Sequence, residues 1–103
     1  MKTIAIEEHF ITPFYRKAVH ANEFRNFYLT SRSKQLGHSI VDELADLGEK
    51  RLAHMDAAGI DVQVLSFGSP GPQGFGAETA IPMARDANDI LFDAVQAHPQ
   101  RFA

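Results

Sequence analysis

The chain has 103 residues, 45% apolar and 22% charged, with a formal net charge of −3 and no cysteine, which bounds it as one small domain, or part of a larger one, of ordinary globular composition. Scattered Arg and Lys under a net negative charge leave no electrostatic footprint for nucleic acid, and the missing thiols exclude disulfides and thiolate chemistry. No run approaches the ~18 apolar residues that cross a bilayer, and Met1-Lys2-Thr3-Ile4-Ala5-Ile6 meets Glu7 too early to hold a signal-peptide core, so the expected address is the cytoplasm, with no membrane partner.

The first element is a short run of β-formers, Thr3-Ile4-Ala5-Ile6, that ends abruptly in Glu7-Glu8-His9-Phe10. Strand alternation predicts Thr3, Ala5, Glu7 and His9 on one face, with Ile4, Ile6 and Glu8 on the other. Glu and His at the end of a buried strand are costly unless something pairs with them. Carboxylate oxygen and neutral imidazole are both good ligands for Zn²⁺ or Mn²⁺, so Glu7 and His9 are candidate metal ligands. Taken alone, the triplet also fits a solvated strand end.

Pro13 biases Thr12 toward extended geometry and ends the strand. Phe14 to Val19 then suits a short helix with Pro13 at its first position. Asn22 to Gly37 mixes Phe24, Phe27 and Tyr28 with polar groups and holds no sustained period. It reads as a functional loop or lid, or else as a surface excursion anchored by its aromatics.

From Ser39 the pattern turns helical. Ile40, Leu44, Leu47, Leu52 and Met55 recur near a 3.6-residue period, Ser39 or Asp42 can cap the start, and Gly59 can stop the helix in a left-handed conformation. Gly48 weakens its middle by about 1 kcal/mol relative to Ala. His54 and Met55 read as structural. Ile60 to Phe67 is nearly continuously apolar, which suits a strand covered on both faces.

Helix, glycine turn and strand make half of a β-α-β unit, with parallel pairing and a right-handed crossover. Glu7-Glu8-His9 and Ser66-Phe67 therefore share the carboxyl edge of one sheet, where α/β folds bind ligands. Gly68 to Gly76 is a βα loop by composition. It lacks the Gly-Lys-Ser/Thr and Gly-x-Gly-x-x-Gly signatures of nucleotide sites. Ser66, Phe67, Gly68 and Ser69 are candidate pocket-wall residues. A second helix is expected over Glu78 to Ala97, with Ile81, Ala84, Ala87 or Asn88, Leu91 and Val95 as its apolar stripe and Pro82 in its first turn. His98-Pro99 stops it. Gln100-Arg101-Phe102-Ala103 stand where the next strand is due.

Four segments carry a family resemblance. Ile6-Glu7-Glu8-His9-Phe10, then Arg51-Leu52-Ala53-His54-Met55-Asp56-Ala57-Ala58-Gly59-Ile60-Asp61 leading into Val64-Leu65-Ser66, resembles the amidohydrolase superfamily, in its aromatic-acid decarboxylase branch. Ala84-Arg85-Asp86-Ala87-Asn88-Asp89 and His98-Pro99-Gln100-Arg101-Phe102 resemble that branch's second barrel helix and the link to its third strand. The Glu-Glu-His-Phe form is fairly specific to resorcylate-type members, since most amidohydrolases carry His-x-His there.

The resemblance implies an α/β fold, with residues 1–103 forming the first β-α-β-α portion of a (β/α)8 TIM-type barrel. It also implies a divalent metal, Zn²⁺ or Mn²⁺, at the carboxyl ends of the strands. Glu7 and His9 match the two first-strand ligands. The family's further ligands and substrate-acting His and Arg have no counterpart here, so no catalytic acid is assigned to this chain. The implied reaction is reversible non-oxidative decarboxylation of a hydroxylated aromatic acid, with that small acid as partner and a homo-oligomer at full length. Phe24, Phe27 and Phe67 are candidate walls against the ring. Hydrolysis of a lactone or amide in the same superfamily, and a non-catalytic interaction module, are the competing readings.

Overall fold

A computed structural model of the chain describes residues 1–20, 23–69 and 71–103, with the side chains of residues 20 and 23–29 excepted. β1 (Ile4–Phe10) pairs in parallel with β2 (Val62–Phe67), as the expected β-α-β unit requires. Between them lie α1 (Pro13–His20), α2 (Glu23–Leu36), α3 (Ile40–Ala45) and α4 (Glu49–Ala58). A 3-10 turn over Gly71–Gly74 and α5 (Ala77–Ala97) follow β2.

Residues 101–103 then return to the sheet. Gln63 N–H donates to the Arg101 carbonyl at 2.9 Å, Ala103 N–H to the Gln63 carbonyl at 3.0 Å and Leu65 N–H to the Ala103 carbonyl at 2.8 Å. Phe102 thus forms a parallel bridge with Gln63, in the place where the sequence calls for a third strand. Its ring is 1% exposed, in a core with Phe10, Met55, Leu65, Ala87 and Ala94. A second cluster joins Ile11, Tyr15, Val19 and Met83, and Phe67 packs against both. Its ring meets Phe10 at 5.5 Å and Tyr15 at 5.2 Å between centroids, both edge-on. Such contacts add roughly 0.5–1.5 kcal/mol each beyond the area they bury.

Helix ends obey local chemistry. Thr12 is fully buried, and its Oγ1 accepts the Tyr15 N–H at 3.1 Å, which caps α1 ahead of Pro13. Ser39 caps α3 by accepting the Asp42 N–H at 3.2 Å. Gly59 ends α4 at φ 70°, the left-handed conformation that glycine adopts without strain.

Four expectations are corrected. Within the expected loop the described residues are helical: α2 covers Glu23–Leu36. Helix formers such as Glu23, Leu29, Arg32, Lys34, Gln35 and Leu36 act through local propensity, and without an apolar stripe the segment gave no period to detect. The single helix from Ser39 to Gly59 is two, because Asp46 turns the chain out of α3 and its Oδ1 accepts the Gly48 N–H at 2.8 Å and the Arg51 N–H at 3.4 Å. α5 begins at Ala77, so Pro82 lies past the first turn and leaves the Glu78 carbonyl without its helical donor. Its buried stripe is Met83, Ala87 and Ala94, while Ile81 is 54% exposed.

The fourth correction concerns the sheet. The molecule measures 42 × 32 × 19 Å, and its thin dimension matches one sheet carrying one layer of helices. β2 is covered on one face only, with Gln63 and Leu65 buried and Val64 and Ser66 exposed. β1 is more open still, with only Phe10 buried.

Candidate metal centre

The β1 ladder contains an irregularity that simple alternation misses. Ala5 stands beside Gln63 and Glu8 beside Leu65, so Ile6 and Glu7 together oppose the single Val64. This is a bulge, and Glu7 adopts φ 61°, the only described non-glycine residue at positive φ. The left-handed conformation costs an L-residue about 1–2 kcal/mol.

The bulge changes which residues share a face. Ala5, Glu8 and Phe10 line up with Gln63, Leu65 and Phe67 on the helix-covered side. Ile4 lines up with Val62 and His9 with Ser66 on the open side. Glu8 and His9 therefore face opposite ways, as expected. Ala5, however, joins the face of Glu8, and Ile4 joins that of His9. Ile6 and Glu7 share the bulge opposite Val64, and both are exposed.

Glu7 and His9 are both exposed. The expected burial of these groups is not met, so no desolvation has to be offset here. His9 Nδ1 lies 2.9 Å from Ser66 Oγ, which leaves Nε2 as the outward nitrogen. Metal-bound histidines are commonly held in this way through their second nitrogen. No hydrogen bond or ion pair within the described residues engages the Glu7 carboxylate. One carboxylate and one imidazole with a held ring suit a divalent ion as two of its ligands. No group of three or more His, Asp or Glu side chains able to hold a metal occurs among the described residues, so the two do not close a site by themselves.

The pocket-wall residues divide. Ser66 serves as the His9 partner. Gly68 donates its N–H to the Phe10 carbonyl at 2.8 Å and is buried where a Cβ would press Ile11 Cγ2 at 3.3 Å and the Phe10 oxygen at 3.4 Å, so close backbone approach explains the glycine. Phe67 and Ser69 line a cavity of about 350 Å³ with Gly71, Pro72 and Gln73, while Phe67 also serves the core. The side chains of Phe24 and Phe27 lie outside the described residues. A larger groove of about 580 Å³, lined by Ser39, Asp42, Lys50, Arg51 and His54 among others, contains neither Glu7 nor His9.

A polar chain beneath the bulge was missed from sequence. Arg51 Nη2 donates to the His9 carbonyl at 2.8 Å, and its Nε donates to Gln63 Oε1 at 2.8 Å. Gln63 Nε2 in turn donates to Glu8 Oε2 at 3.0 Å. Burial lowers the proton affinity of Arg51, with Glu8 and then Asp46 opposing that loss by charge. The legible signal was Gln63, a polar residue flanked by valines inside the run Ile60 to Phe67.

No family model matches the chain. It is 34% identical over 100 residues to the γ-resorcylate decarboxylase of Rhizobium radiobacter, which covers 96% of this chain and 28% of that relative. A 5-carboxyvanillate decarboxylase of Novosphingobium aromaticivorans, solved with manganese and 4-hydroxy-3-methoxy-5-nitrobenzoic acid, superposes with a TM-score of 0.80 at 37% identity, over 98% of this chain and 32% of that one. A dihydroxybenzoic acid decarboxylase of Polaromonas, solved with manganese and 2-nitroresorcinol, gives 0.73 at 29% identity, over 99% and 29%. The chain spans less than a third of the length of these relatives. The proteins it is similar to are aromatic-acid decarboxylases, two of them solved with manganese, and the resemblance carried by its first-strand motif points the same way. Both γ-resorcylate and 5-carboxyvanillate decarboxylases stand among its relatives.

Proposed function

We propose that this chain supplies the first β-α-β-α portion, and the start of the third strand, of a (β/α)8 barrel that decarboxylates a hydroxylated aromatic acid. Glu7 and His9 are its contribution to a divalent metal centre, with Mn²⁺ favoured by the manganese in the related structures. The observation that carries this reading is the placement of the Glu-x-His pair on a bulge at the carboxyl end of β1, beside Ser66 of β2, in a chain whose relatives are decarboxylases. Bulges are frequent beside active sites because they re-aim side chains.

In the overall reaction the bond between ring and carboxyl carbon breaks, CO₂ departs, and a proton takes its place on the ring. A divalent metal held there would supply Lewis-acid and template chemistry toward the substrate's carboxylate and neighbouring hydroxyl. Glu7 and His9 would hold the ion, and Ser66 would keep the His9 ring oriented. Phe67 and Ser69 would border the substrate from the βα loop, and Phe24 and Phe27 are proposed walls against the ring. The general acid is not a residue of this chain.

The test is Glu7→Ala and His9→Ala in the intact enzyme, assayed for CO₂ release from 2,6-dihydroxybenzoate and 5-carboxyvanillate and for bound manganese. Both variants should lose activity and metal together. Undiminished turnover in both would end the reading, and substrate loss without CO₂ would favour a hydrolase instead.

A further inference from the structure

We propose that Arg51, acting through Gln63 and Glu8, is a positioning residue for the metal centre. Together the three hold the phase of the β1 bulge, and so decide that His9, two residues past Glu7, is presented on the open face. The inference rests on reading Glu7 and His9 as ligands and assigns Glu8 a different role from its neighbours.

Without the bulge, regular alternation from Ala5 would carry Glu7 and His9 onto the face of Gln63 and Leu65, beneath the helices. Glu8 would then take the open face. The bulge instead puts His9 on the open face and Glu8 on the covered one, and something must favour the strained form over the regular one. The polar chain supplies it. Glu8 Oε2 accepts from Gln63 Nε2 at 3.0 Å only when Glu8 lies on the covered face. Gln63 is 7% exposed, and its two amide ends are used in opposite senses, donating to Glu8 and accepting from Arg51 at 2.8 Å. Arg51 also donates to the His9 carbonyl at 2.8 Å, immediately past the bulge.

One guanidinium thus grips the main chain at His9 and, through one amide, the side chain at Glu8. Hydrogen bonds to charged groups are the stronger kind, and the two made by the Gln63 side chain are part-buried. Slipping the bulge would break the Glu8 bond and leave a buried amide donor unpaired. Glu8 is therefore an anchor on the covered side, while Glu7 and His9 remain available to a metal.

The experiment titrates Mn²⁺ into the intact protein, with free and bound ion read by electron paramagnetic resonance. Glu7→Gln, Glu8→Gln, Gln63→Leu and Arg51→Met are compared. Glu8→Gln keeps an oxygen that can accept from Gln63, so its Mn²⁺ affinity should stay within about twofold of the parent. Gln63→Leu and Arg51→Met should each weaken binding about tenfold or more, the usual effect of removing outer-shell support, and alter the line shape of the bound ion.

Parent-like Mn²⁺ binding in Gln63→Leu and Arg51→Met, with binding lost in Glu7→Gln, overturns the positioning role and leaves the ligand reading intact. Loss of binding in Glu8→Gln makes Glu8 a ligand and also overturns it. Parent-like binding in Glu7→Gln removes the ligand reading itself. Should Arg51→Met fail to fold, Gln63→Leu decides, since it deletes the same bridge with an apolar residue that a strand accepts.

Discussion

β1 and β2 lie side by side in one ladder and solve opposite problems. β2 runs without interruption from Val62 to Phe67, is paired along both edges near Gln63 and Leu65, and buries one alternating face. β1 is broken at Glu7, holds that residue at φ 61°, and buries only Phe10. The regular strand carries the packing. The irregular one carries the residues with chemistry to offer, and its conformational cost is met by contacts made to β2 and α4. Outliers of this kind persist only where their surroundings over-determine them.

The sharpest test of the contrast is the core on the β2 side. Phe102→Ala empties a fully buried ring site and should cost about 3–5 kcal/mol, read from urea unfolding. The same truncation at Ile6, which is 71% exposed, should change the midpoint little. Equal effects at the two positions would show that β1 is as well packed as β2.

A smaller effect is expected where the strands meet. Ser66→Ala removes the partner of His9 Nδ1 and should weaken Mn²⁺ binding by about tenfold, with the unfolding midpoint little altered. Unchanged affinity would separate the His9 ring from Ser66 and break the link between the two strands' roles.

Next comes the strain itself. Glu7→Gly permits positive φ freely, gaining about 1–2 kcal/mol of relieved strain against roughly 0.5–1 kcal/mol of added chain entropy. The variant should be as stable as the parent or slightly more so, while losing metal. Such a trade between stability and function is expected of a strained site. Clear destabilisation would place Glu7 among the structural residues.

The smallest expected effect is one of pH. Hydrogen bonding from Ser39, then from Arg16 at 2.7 Å together with the Arg16 charge, holds the Asp42 carboxyl below its ordinary value. A depressed carboxyl contributes stability that is present above its unfolded value, near 3.8, and lost as pH falls through the lower folded one. Asp42 is fully exposed, so the contribution is small. Asp42→Asn should lower stability slightly at neutral pH, leave it nearly unchanged well below about pH 4, and so flatten the acid limb between them.

Much of the fold was legible because its causes are local. Thr12-Pro13 starting a helix, Ser39 capping another, Gly59 ending α4 and a β-branched run becoming β2 all follow from a residue and its near neighbours. α2 escaped notice because propensity without an apolar stripe leaves no period to find. The break at Asp46 escaped because a side-chain cap competes with a helix only once its own geometry is known. Ser66 reads from sequence as a pocket wall, and the pairing of β1 with β2 makes it the partner of His9.

By itself the sequence determined the parallel β-α-β order, a strand due after the second helix and the presence of Glu7 and His9 at a strand end, since each follows from periodicity, turn chemistry or composition. Only the tertiary structure decided which way those side chains are offered. Alternation is a rule about an isolated strand. The phase of β1 is set instead by a bulge that exists because Gln63 and Arg51, 55 and 43 residues beyond Glu8, supply the partners that hold it.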